Sequence, residues 1–136
     1  MLGRQMPKGT MKVTVLGAGS WGTTVASLVA GNNDATVWGR DEAQMAEIRD
    51  QHKNSKYLAD YDLSENLHGT ADLEEAVADA HVLVVGVPSH AFRATLEAAK
   101  PFVHPWIPII SLTKGLEAES MLRMTEVIKN VLPGRP

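Results

Sequence analysis

Residues Met11–Gly22 read M-K-V-T-V-L-G-A-G-S-W-G, a β-branched run that ends on glycines at positions 17, 19 and 22. No other stretch restricts the possible folds as much. A strand that breaks at a glycine and passes within a few residues into the helix-compatible T-T-V-A-S-L-V-A opens a βαβ unit. Each glycine has its own task. Gly17 lets the chain turn sharply out of the strand, Gly19 leaves the backbone open to a pyrophosphate, and Gly22 lets the helix pack close against the strand. From about Ser20 to Thr23 the unpaired N–H groups and the helix dipole together favour an anion. The glycine spacing alone is a weak signal, and a tight turn without a ligand is the bland alternative. Its place between a strand and a helix, with a second strand to follow, points to a dinucleotide site.

Beyond Gly22 the apolar pattern keeps switching between two periods. Lys12–Leu16 reads as a strand and Trp21–Ala30 as a helix that stops at Gly31-Asn32-Asn33. Ala35–Trp38 is strand-like, and Asp41 caps a helix to about Arg49. Asn54–Thr70, polar and mixed, reads as a long surface connection. A short helix follows around Asp72–Ala78. The run His81–Val87 is nearly all apolar, as a strand covered on both faces should be. Ser89 caps a helix to about Ala99, Ile107–Leu112 is a further buried strand, and Ser120–Leu132 the last helix. Alternation of this kind specifies an α/β fold: a Rossmann-type, doubly wound, mostly parallel sheet with helices on both faces. The expected organisation is a flexible leader over 1–10 and one dinucleotide-binding domain over 11–136.

Composition removes several function classes. The 136 residues carry no cysteine, which excludes disulfides and thiolate catalysis. A net charge of −3 without a basic patch gives no reason to expect nucleic acid. No apolar run nears the roughly 20 residues that span a bilayer, and the first ten residues lack the apolar core of a signal peptide. The expectation is a cytoplasmic protein. His52, His68, His81 and His104 show no ligand spacing, so no metal site is expected.

Ligands of such sheets bind at the carboxyl ends of the strands. The second strand here ends in Trp38-Gly39-Arg40-Asp41. An acid at this point would bond the ribose hydroxyls of NAD, whereas the planar fork of Arg40 suits a 2′-phosphate or stacks on adenine. Asp41 reads first as a helix cap, with the acidic role as its alternative. NADP(H) is favoured on this reading and NAD(H) stays open. At Val87-Pro88-Ser89-His90, His90 is an acid–base candidate or, more simply, a polar residue in a first helical turn. In Ser111-Leu-Thr-Lys114-Gly-Leu-Glu117, Lys114 is either a cation projecting into a cleft or an ordinary loop lysine.

Together, G-A-G-S-W-G-T at 17–23, V-P-S-H at 87–90, T-K-G-L-E at 113–117 and N-x-x-Y-L at 54–58 resemble one family closely. It is the N-terminal domain of bacterial-type NAD(P)-dependent sn-glycerol-3-phosphate dehydrogenase, and the likeness runs from Met11 onward. Beside the cofactor-binding Gly17, Gly19 and Gly22 read from the spacing, the resemblance implies that Ser20 and Trp21 contact the cofactor at its pyrophosphate and that Arg40 holds the adenosine end. It implies that Lys114 binds both the nicotinamide side of the cofactor and a phosphorylated three-carbon substrate. The reaction implied is hydride transfer between NAD(P)H and dihydroxyacetone phosphate, giving glycerol 3-phosphate for glycerophospholipid synthesis. In the family a helical C-terminal domain supplies the proton-accepting lysine, so no catalytic residue is expected in this chain and a homodimer is expected only of the full-length enzyme. The expectation is therefore a cofactor-binding fragment. A stand-alone NAD(P)-binding module without chemistry is the alternative, and T-K-G-L-E argues against a dehydrogenase acting on 2-keto or 3-hydroxy acids.

Overall fold

The computed structural model describes residues 11–134; the leader expected over 1–10 lies outside the described residues. Five strands form one parallel sheet: β1 (Lys12–Leu16), β2 (Asp34–Trp38), β3 (Leu67–Thr70), β4 (Val82–Val85) and β5 (Ile109–Ser111). Their order is β3-β2-β1-β4-β5, with Leu16 level with Trp38 on one side and with Val85 on the other. The chain reverses its direction of travel across the sheet at β1, so a crevice opens where the loops after β1 and β4 diverge.

The helices are α1 (Ser20–Val29), α2 (Glu42–Gln51), α3 (Leu73–Val77), α4 (Ser89–Ala99) and α5 (Met124–Val131), with a 3₁₀ turn at Lys100–Phe102. Strand alternation sorts them into two layers. Val13 and Val15 of β1, with Val82 and Val84 of β4, pack with Ala26 of α1 and Met45 and Ile48 of α2. Leu16, Leu83 and Val85 point the other way, into Val77 of α3, Phe92 and Leu96 of α4 and Val127 of α5. Both faces of β4 are covered, which is why it reads as V-L-V-V without a polar residue. Full burial of a side chain the size of Phe92 stabilises by about 1.5–3 kcal/mol. The apolar face of α5, Met124, Val127, Ile128 and Val131, keeps the helical i, i+3, i+4, i+7 spacing.

Four expectations are corrected. The buried strand expected over Ile107–Leu112 is the edge strand β5, which has no fully buried residue and leaves Ile110 half-exposed. Asn54–Thr70 is not wholly irregular, because Leu67–Thr70 forms the edge strand β3 beside β2. L-H-G-T carries no alternating pattern; it is extended because β2 offers it a backbone partner. The last helix begins at Met124 rather than Ser120, since Leu116 and Arg123 bridge antiparallel and Met121 takes φ 60° in the turn between them. Ser89 is not a cap: it is the first residue of α4, the cap position belongs to Pro88, and no side chain bonds there.

A candidate dinucleotide cleft

The three glycines after β1 differ in what the fold asks of them. Gly17 sits at φ 115°, donates from its N–H to the Trp38 carbonyl at 2.8 Å, and would drive a Cβ to within 2.8 Å of the Gly86 carbonyl carbon. A Cβ on Gly22 would lie 2.0 Å from the Gly17 carbonyl oxygen. Both are glycine because backbone meets backbone. Gly19 is different. Its φ −74° and ψ −171° are ordinary extended backbone, and nothing lies within 4 Å of where its Cβ would stand. The folded chain has no steric need of a glycine there, and the space a Cβ would fill is open.

That space is the floor of a cleft of about 770 Å³. Gly17–Gly22, Trp38–Asp41, Gln44, Tyr57 and Gly86–Pro88 border it. The first bond of α1 runs from Thr23 N–H to the Gly19 carbonyl at 3.0 Å, which leaves the N–H groups of Ser20, Trp21 and Gly22 without helical partners. No acidic side chain stands in this first turn, so the dipole at the helix end is unneutralised. Trp21 is 72% exposed beside it.

Asp41 is a helix cap: its carboxylate accepts from Ala43 N–H at 3.0 Å and from Gln44 N–H at 3.2 Å. Arg40 is exposed, borders the cleft and makes no bond or ion pair among the described residues. The end of β2 therefore offers an unused guanidinium with its neighbouring carboxylate already engaged. Gly17, Gly19, Ser20, Trp21, Gly22 and Arg40 are thus gathered along one cleft, as a dinucleotide spanning β1 and β2 requires. These donors fit a pyrophosphate and a further anionic group.

The T-K-G-L-E segment lies at the carboxyl end of β5. Thr113 Oγ1 donates to the Val87 carbonyl at 2.5 Å, joining the loops after β4 and β5. Lys114 is exposed on this segment and does not border the cleft. Glu117 accepts from Arg93 of α4 at 2.8 and 2.9 Å and from the Ser120 hydroxyl. These donors hold its carboxyl down from the usual 4.5 to about 2, the Arg93 bonds contributing most. His90 borders a second cleft of about 550 Å³ with Arg93 and Glu117, and is not among the residues bordering the first.

A family model described as the NAD-dependent glycerol-3-phosphate dehydrogenase N-terminus matches residues 12–136. The chain belongs to this family. A glycerol-3-phosphate dehydrogenase [NAD(P)+] of Sphingopyxis alaskensis is 52% identical over 93% of this chain and 38% of its own length. One from Mycobacterium bovis is 48% identical over 92% and 37%. The chain thus spans under two-fifths of the curated relatives it matches. Among solved structures, the glycerol-3-phosphate dehydrogenase of Coxiella burnetii superposes at TM-score 0.84 with 29% identity, covering 93% of this chain and 39% of that one. A prephenate dehydrogenase of A. aeolicus, 13% identical at TM-score 0.63, shares the fold alone.

Within this domain, the sequence signals assigned no role to Gln44, Asn54 or Tyr57. Gln44 and Tyr57 border the cleft, and Asn54 is fully buried beneath it. Asn54 and Tyr57 carried one mark, the N-x-x-Y-L match; Gln44 carried none, being an ordinary residue of a capped helix.

Proposed function

We propose that this chain is the cofactor-binding part of an NAD(P)H-dependent dehydrogenase that interconverts dihydroxyacetone phosphate and sn-glycerol 3-phosphate, supplying glycerophospholipid synthesis in the cytoplasm. The observation that carries the reading is Gly19: a glycine without a steric reason in the folded chain, at the head of a helix whose first N–H groups are free. When bound, the nicotinamide cofactor supplies the hydride. The chain's own residues bind and orient it. The N–H groups at the head of α1 take the pyrophosphate, and Ser20 and Trp21 flank it. Arg40 meets the adenosine end, where a two-pronged bond to a 2′-phosphate favours NADP(H) over NAD(H). Lys114, exposed on the loop tied to Val87 and outside the residues bordering the cleft, is assigned the nicotinamide side and the phosphorylated substrate by the family resemblance alone. The proton acceptor and the pairing of two copies belong to the longer enzyme on this reading.

Titration of the protein with NADPH and NADH, followed by Trp21 fluorescence against a Trp21→Phe control, tests the binding half. Saturable quenching that is reduced but retained through Trp38 in the control is the expected result. No binding of either cofactor at millimolar concentration overturns the reading.

A further inference from the structure

Beneath the glycine turn lies a pair of amide side chains whose role the proposed function does not include. Asn54 is 0% exposed. Its Nδ2 donates to the Ala18 carbonyl at 3.1 Å and to Thr23 Oγ1 at 2.9 Å. Gln44 Nε2 donates to the same Ala18 carbonyl at 2.8 Å and to Asn54 Oδ1 at 3.1 Å. Two amide donors from separate parts of the chain thus converge on one carbonyl oxygen of the turn. The consequence follows from peptide geometry. In a planar trans unit the C=O and N–H point to opposite sides, so holding the Ala18 carbonyl inward fixes the Gly19 N–H outward, away from the amide pair. That N–H makes no bond among the described residues, and Gly19 borders the cleft.

We infer that Asn54, assisted by Gln44, is a positioning residue that presets the Ala18–Gly19 peptide so that the Gly19 N–H joins the donors awaiting the pyrophosphate. The inference rests on the dinucleotide reading above. A backbone N–H next to glycine swings easily, because glycine's neighbouring torsions are loosely held. Locking it before binding removes an ordering penalty that the ligand otherwise meets. Asn54 is too deeply buried to touch a ligand, so its effect can only pass through the turn.

The test replaces Asn54→Leu together with Thr23→Val, which removes both partners of the buried Asn54–Thr23 bond by groups of similar shape and leaves no orphaned hydroxyl. The expected result is a melting temperature near the parent's, an NADH dissociation constant raised roughly 5- to 10-fold, and the same loss for ADP-ribose, which shares the pyrophosphate. In the ligand-free protein the Gly19 amide resonance moves or broadens. A purely structural role would lower the melting temperature and leave both the affinity and the Gly19 resonance unchanged; that outcome overturns the inference. Should the double variant fail to fold, Gln44→Met, of similar length and good helix propensity, decides by the same Gly19 resonance. Absence of NADH binding by the parent overturns the dinucleotide reading and this inference together, whereas parent binding with unperturbed variants overturns this inference alone.

Discussion

Substituting Gly19→Val separates what the turn does for the fold from what it does for a ligand. The side chain enters a region with no atom within 4 Å, on a backbone at φ −74° and ψ −171° that valine adopts freely. Valine is a poorer helix cap than glycine, a loss of about 0.5–1 kcal/mol. Restricting the unfolded chain returns about 0.4–1 kcal/mol. The two nearly cancel, so the melting temperature should move by less than about 4 °C. Binding should respond quite differently. Two branches over the head of α1 would keep a pyrophosphate from at least two N–H donors. Each charge-assisted bond is worth about 1.5–3 kcal/mol, so affinity for NADPH and NADH should fall by more than about a hundredfold. Trp21 fluorescence reports the binding and a thermal melt the stability. Gly22→Ala is the contrast: its Cβ would sit 2.0 Å from the Gly17 oxygen, and the fold itself should suffer. A folded Gly19→Val protein with unchanged affinity for both cofactors would refute the reasoning.

Arg40→Ala should weaken NADPH by about ten- to a hundredfold and NADH far less, and rising salt should erode NADPH binding faster. Dissociation constants for both cofactors at two salt concentrations check this, and equal losses would leave adenine stacking as its role. Arg93 holds the Glu117 pKa near 2, below its ordinary 4.5, so this latch stabilises the folded chain fully above about pH 4.5 and is lost as pH falls toward 2. Melting curves across that interval should show the loss, and Arg93→Met should flatten the acid dependence. The 136-residue chain alone should bind dinucleotide without reducing dihydroxyacetone phosphate, as followed by NADPH absorbance. Clear turnover by the purified chain would show that the acid–base group lies within it.

What could be read from the residues in order was whatever a short stretch decides for itself. Asp41 and Asp72 cap their helices through bonds that span two or three residues. The all-apolar V-L-V-V declares its burial on both faces, and the spaced glycines after β1 mark a tight turn out of the strand. The tertiary structure decided the rest. L-H-G-T became a strand only by lying beside β2, and the last helix started late because a bridge between Leu116 and Arg123 took up the residues before it. It also distinguished Gly19 from Gly17 and Gly22, which are alike in the sequence and differ only in which atoms surround them. Asn54 is the clearest case. Its bond to the Ala18 carbonyl joins residues 36 apart, a contact that neither periodicity nor propensity records. Local patterns encode the torsions a segment prefers, whereas a buried polar pair exists only once the folded chain has brought both partners out of water.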